Sequence, residues 1–176
     1  MLAAARSAKE QDSGALRIAA HNGDEECVRL LLSRSDPKAR DSEALRWAAC
    51  NGHAECVRLL LPVSDPNGLE CLALLWAAQN GCVECVRLLL PASGTLLQTD
   101  RLLDAVIEGG HANVAALLIE QEPRLLDGVD LAKQLETAVE NDHGDLASYL
   151  LSIIDQRELL AVARNRPKMG LGLARL

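Results

Sequence analysis

Apolar positions along this chain fall into short runs that stop and restart at a fixed interval. Between Asp41 and Leu69, the run A-L-R-W-A-A holds Ala44, Leu45, Trp47, Ala48 and Ala49, and after Asn51-Gly52 the run C-V-R-L-L-L takes over from Cys56 to Leu61. Spacings of three and four residues with single polar interruptions belong to helices that bury one face. Each run lasts about two turns, too short to be a stable helix by itself. The same pattern stands before and after. Asp12–Arg40 matches Asp41–Leu69 at 19 of 29 positions, and Asp41–Leu69 matches Glu70–Gln98 at 16. A fourth copy follows as LLDAVIEGGHANVAALLIE, with its glycine at Gly110, and a fifth as LETAVENDHGDLASYLL from Leu135.

The interruptions have physical causes. Gly23, Gly52 and Gly81 fit the left-handed position just past a helix end, each preceded by an Asn. Pro62 and Pro91 stop the second helix, since proline cannot continue one. Asp12 and Ser13, or Asp41 and Ser42, stand where an N-cap of the first helix is wanted. Repeats that cannot bury their apolar faces alone must stack on one another. The expected fold is an all-α solenoid of antiparallel helix pairs with short inter-repeat turns. Its expected boundaries are an N-terminal cap at 1–11, repeats at 12–40, 41–69, 70–98, 99–130 and 131–152, and a capping helix with a basic tail at 153–176.

The pattern A-L-R-W-A-A-C-N-G-H-A-E-C-V-R-L-L-L resembles the ankyrin repeat, over about Asp12 to Ser152. Two features depart from that family. The period of 29 is shorter than the usual 33 or so, and the deficit lies between Leu61 and Leu72, where the projecting finger belongs. The family's Thr-Pro-Leu-His run is replaced by Glu43-Ala44-Leu45-Arg46, so its Thr/His ladder is absent. The expectation is a clipped finger, reduced to a tight turn at Ser-Asp-Pro.

Composition narrows the function. Leu, Ala and Val supply the apolar mass, with no Phe, one Tyr and two Trp, which suits small helices rather than β structure. From Ile153 onward, five basic residues face two acidic ones, a net charge of +3, which leaves −10 of the total −7 on the preceding 152 residues. An acidic body repels phosphate backbones, so no nucleic acid is expected as a partner. No apolar run reaches the roughly 20 residues that span a bilayer, so no membrane is expected either. The opening MLAAARSAKEQDSG lacks the apolar core of a signal peptide. Six cysteines without such a leader imply free thiols in a reducing compartment. The expected location is cytoplasmic, with secretion into a host cell as the alternative; the short repeats suggest a microbial source by resemblance.

Candidate chemistry does not survive the repeat. Cys50-x2-His53-x2-Cys56 and Cys82-x2-Cys85 have zinc-like spacing. Yet Cys27, Cys56 and Cys85 share one repeat position, so neighbours stand about one helix-packing distance, ~10 Å, apart. That is too far for one zinc or for a disulfide. The cysteines are expected to pack in the core, with no metal and no cofactor. His53 and His111 follow the turn glycine, where the resemblance gives them a turn-supporting role. Trp47 and Trp76 are expected between repeats, and Glu26/Arg29, Glu55/Arg58 and Glu84/Arg87 as surface pairs. No nucleophile, phosphate loop or metalloprotease motif is present, so the chain is not expected to be an enzyme.

What varies between repeats is where specificity would sit. In ankyrin-like arrays partners dock on the concave face, built from the first helices and the turns before them. The resemblance therefore marks Asp12 and Ser13, Asp41 and Ser42, Glu70 and Cys71, and Thr99 and Asp100 before the helices. At the helix ends it marks His21 and Asn22, Cys50 and Asn51, Gln79 and Asn80, Glu108 and Gly109, and Glu140 and Asn141. The partner-binding set expected from these is Asp41, Ser42, Cys50, Asn51, Glu70, Cys71, Gln79, Asn80, Asp100 and Glu108. The expected function is a monomeric, non-catalytic module that binds a protein carrying a basic element. The alternative is an inhibitor, an immunity-type factor or a host-targeted factor that blocks one specific protein. The basic C-terminal tail is expected to be solvated, with docking onto the acidic array of another copy as the alternative.

Overall fold

The computed structural model describes residues 2–93 and 99–165, with side chains described for 10–93 and 101–160. Among the described residues ten α-helices alternate in two layers: α1 (Leu2–Asn22), α2 (Glu25–Leu31), α3 (Ala39–Cys50), α4 (Ala54–Leu60), α5 (Gly68–Gln79), α6 (Val83–Leu89), α7 (Thr99–Gly109), α8 (Ala112–Gln121), α9 (Leu131–Glu140) and α10 (Gly144–Asn165). Short 3-10 turns at Leu90–Ala92 and Pro123–Leu126 follow α6 and α8. No strand occurs among the described residues. The five helix pairs are the five units of the sequence pattern, stacked as an all-α solenoid. No helix among the described residues is long and apolar enough to cross a membrane.

Residue size explains the closer packing of the first helices. The first helices, α1, α3, α5 and α7, lie against one another far more intimately than the second helices do. Their facing surfaces are Ala20, Ala44, Ala48, Ala49, Ala73, Ala77 and Ala78, all buried, which lets the backbones approach. The outer layer is spaced by Val28, Val57, Leu60, Val86 and Leu89. Small residues inside and larger ones outside set the first helices closer together than the second, and the open side of the first helices is the concave face. The approach is closest at Gly109, where a Cβ would stand 2.2 Å from the Gln79 carbonyl oxygen.

The clipped finger is built on Ser-Asp-Pro, as its sequence suggests. Asp36 and Asp65 each use a carboxylate oxygen to accept the amide two residues on, from Lys38 at 3.1 Å and Asn67 at 2.9 Å. That is the turn chemistry of Asp. Buried Ser35 donates to the Leu31 carbonyl at 2.6 Å, and Ser93 to that of Leu89 at 2.9 Å. The expected N-caps are different. Asp12 and Ser13 lie inside α1, which runs unbroken from Leu2, so residues 2–11 are backbone-continuous with the first helix of the array. Ser13 and Ser42 act across the repeat instead, accepting the amides of Asp36 at 2.9 Å and Asp65 at 2.7 Å. At the other end, α10 runs through the fifth repeat and into the expected capping segment without a break.

Two three-residue stretches at the entry to α3 and α5 are left-handed: Arg40, Asp41 and Ser42, then Leu69, Glu70 and Cys71, with φ between 50° and 64°. For residues with a Cβ this costs about 1–2 kcal/mol apiece. Two contacts hold the first of them: Arg46 donates to the Arg40 carbonyl at 2.9 Å, and the Ser42 hydroxyl accepts the Asp65 amide across the repeat.

Three substitutions test this architecture by chemical denaturation. Gly109→Ala drives a methyl into backbone that cannot yield, and it lowers stability by more than about 2 kcal/mol. Gly14→Ala, in a helix with nothing within 4 Å of the new Cβ, raises it by up to about 1 kcal/mol. Leu69→Gly relieves a left-handed residue whose side chain is 47% exposed, and it gains stability in the same range, up to about 1 kcal/mol. An unchanged midpoint for Leu69→Gly means the turn is unstrained.

Candidate functional site on the concave face

Four positions of each first helix, spaced i, i+3, i+4 and i+7, open onto the concave side. In α1 they are Gly14, Arg17, Ile18 and His21; in α3 Glu43, Arg46, Trp47 and Cys50; in α5 Leu72, Leu75, Trp76 and Gln79. In α7 they are Arg101, Asp104, Ala105 and Glu108. This spacing is one helical stripe, and none of the sixteen is fully buried. Aromatic rings join the stripes. His21 meets Trp47 edge-on at 5.2 Å, and Trp47 lies 5.7 Å from Trp76, centroid to centroid. The Arg46 guanidinium sits 5.8 Å over the Trp76 ring, within cation–π range. The tryptophans are half-buried: they pack between repeats as their position suggests, and they also show an edge to solvent.

Two depressions adjoin this chain of rings. An apolar notch of about 240 Å³ is lined by Arg17, Ile18, His21 and Trp47, and Ile18 is 57% exposed there. A wider cleft of about 640 Å³ shares Arg17 and runs between α1 and the Asp36–Ala44 stretch. Glu43 is the electrostatic centre of that cleft. Burial pushes its carboxyl up, but hydrogen bonds from Trp47 (3.4 Å) and Arg17 (3.3 Å) and the charges of Arg17 and Arg40 outweigh it. The group is held below the usual glutamate range and stays ionised.

The rim of the face is a ladder between repeats. Asn51 and His53 both donate to the His21 carbonyl, each at 3.0 Å. One repeat on, Asn80 donates to the Cys50 carbonyl at 3.2 Å, with the Cys82 thiol reaching the same oxygen at 3.7 Å. The His143 ring meets the Ile107 carbonyl at 3.1 Å. Below each rung lies a turn glycine. A Cβ on Gly23, Gly81 or Gly110 would collide with the ring of His53, His111 or His143 at under 3 Å. The histidines therefore support the turn of the preceding repeat rather than only their own.

The expected partner-binding residues divide accordingly. Asp41, Glu70, Gln79 and Glu108 are exposed on or beside the concave face, with Glu70 paired to Arg101 and Gln79 bonded to Glu108 at 3.2 Å. Asn51 and Asn80 are exposed, but their amides are engaged in the ladder, as is the carbonyl of Cys50. Ser42 and Cys71 are corrected: at 1% and 4% exposure they point into the array, because the left-handed turn rotates them inward. The Asp100 side chain and the basic residues Arg166, Lys168 and Arg175 lie outside the described residues.

All six cysteines are free, and among the described residues no cluster of His, Cys, Asp and Glu could hold a metal ion. Cys56, Cys71 and Cys85 are buried, whereas Cys27 is exposed. Burial pushes the Cys85 thiol up to about 12 and those of Cys50, Cys56, Cys71 and Cys82 upward as well.

Residues 16–101 match the family model of ankyrin repeats, in three copies. This stretch of the chain is an ankyrin-repeat array. Ankyrin repeats in general are protein–protein interaction modules and are typically non-catalytic. No curated protein matches the chain. The fourth helix pair continues the stack past the matched residues, with α7 and α8 packed against α5 and α6 much as those are against α3 and α4.

Thiol chemistry reads out the array's burial. With a maleimide at neutral pH, Cys27 is modified first and Cys85 last, as followed by peptide mass mapping. The pH dependence has a definite sign: the folded Cys85 keeps its proton where the unfolded chain has lost it. Stability is therefore full below the ordinary thiol range and falls as pH rises toward about 12. Cys85→Ala makes that decline shallower.

Proposed function

We propose that the ankyrin array is a non-catalytic module that seats a partner protein along the concave face, with the rings of His21, Trp47 and Trp76 as its apolar anchor. The observation that carries this is the partly exposed aromatic chain beside an apolar notch. Tryptophan with a desolvated neighbour is the usual core of an interaction hot spot, and a soluble surface has little other use for it. The overall charge supports a partner with a basic element: Asp41, Glu70 and Glu108 are exposed on the array and the first 152 residues carry −10, while Arg17 and Arg46 are the charges at the rings themselves. Carboxylates at the rim steer and orient such a partner more than they tighten it. The free thiols support a reducing, cytoplasmic setting.

The test is affinity capture from the lysate of the native cell, with three forms of the protein compared. Beside the intact chain run the exposed-charge variant Asp41→Lys/Glu70→Lys/Glu108→Lys and the notch variant Ile18→Glu. The expected result is a partner held by the intact chain and lost about tenfold or more with either variant. A partner kept equally by all three moves the binding surface off the concave face. A one-to-one complex that silences a single enzyme makes the module an inhibitor rather than an adaptor.

A further inference from the structure

The repeats of this array are similar enough to serve as controls for one another, and they show that its two ends are built as internal surfaces. On the first helices, Ala44, Ala73 and Leu102 occupy one position, and the preceding helix covers them to 6%, 1% and 1% exposure. Ala15, at the same position, is exposed. On the second helices, Cys56 and Cys85 are covered to 0% and 1%, while Cys27 is exposed. Leu59 and Leu88 are half-buried, while Leu30 is 66% exposed. The leading repeat thus carries the E-C-V-R-L-L-L helix of an inner repeat unchanged. The trailing repeat shows the complementary half. Ala20, Ala49, Ala78 and Ile107 are sealed by the helix that follows, at 0–1% exposure, and Val139 at the same position is 63% exposed.

A terminal repeat normally carries a polar outer face to remain soluble. Here each end keeps the apolar residues that an adjoining repeat would bury, and the inner junctions show what covers such a face: the opposite end of another repeat. We propose that a second copy of the chain supplies it, setting its leading face, around Ala15 and Leu30, on the trailing face around Val139 to continue the solenoid from one molecule into the next. Local charge disfavours pairing of like trailing ends, because Glu136 and Glu140 flank Val139 on α9. Two trailing faces would set four carboxylates together. The junction is heterologous, so it leaves a free end on every assembly and does not close at a dimer. One helix pair buries little area, which makes the association concentration-dependent.

Sedimentation velocity on the 176-residue chain under reducing conditions tests it, with a concentration series from micromolar to near-millimolar. The expected result is a sedimentation coefficient that climbs past the dimer as concentration rises. Two variants separate the ends: Ala15→Glu/Leu30→Glu on the leading face and Val139→Glu on the trailing face. All three sites are solvent-exposed, and circular dichroism verifies that the helices are kept. Each variant alone sediments as a monomer, whereas the two mixed form a dimer and go no further, because each retains the face the other has lost. A chain that stays monomeric throughout the series overturns the proposal. So does self-association that survives Val139→Glu, since that means like faces are pairing.

Discussion

The close approach of the first helices is the constraint from which the remaining structure follows. Alanines at the facing positions and Gly109 against the Gln79 carbonyl let neighbouring backbones nearly touch, while the leucine-lined second helices are held apart. That asymmetry forces the larger residues of each first helix out of the junction and onto the concave side, where Trp47 and Trp76 meet ring to ring. The same proximity brings the carbonyls of His21 and Cys50 within reach of the next repeat's Asn and His or Cys. The binding surface and the scaffold are therefore one device: the rungs that fix the spacing of repeats also fix the spacing of the rings.

Much of this was legible in the chain. The 29-residue recurrence named the helix pairs, the turn glycines and the clipped finger, because these follow from local rules of helix termination and turn chemistry. The candidate site was legible only in part. Asp41, Glu70, Gln79 and Glu108 stand exposed as expected, but Ser42 and Cys71 do not, because three successive left-handed residues rotate them inward and no propensity favours that conformation there. The first-helix caps failed for a related reason. Asp12 has continuous helix before it, and the hydroxyls of Ser13 and Ser42 are taken by amides more than twenty residues away. The shared repeat position of Trp47 and Trp76 pointed to packing between repeats. What that position could not give was that a tryptophan can pack between repeats and still face solvent.

Burial along the array grades the cysteines in a way the repeat alone hides. Cys27, Cys56 and Cys85 are one letter of one sentence, yet the first is exposed and the last has its ionisation pushed to about 12. Position in the stack, not residue type, decides the chemistry of each thiol.

The two tryptophans are the chain's whole complement, and both sit at the junction of the second and third repeats, in contact with the first through His21. Ultraviolet emission from this molecule is consequently a local signal. It records whether that junction is closed, and it is silent about the pairs built from α7 through α10. Circular dichroism weighs every helix equally. A solenoid that melts from its far end would show the two signals parting company, with helicity falling while the indole spectrum stays native.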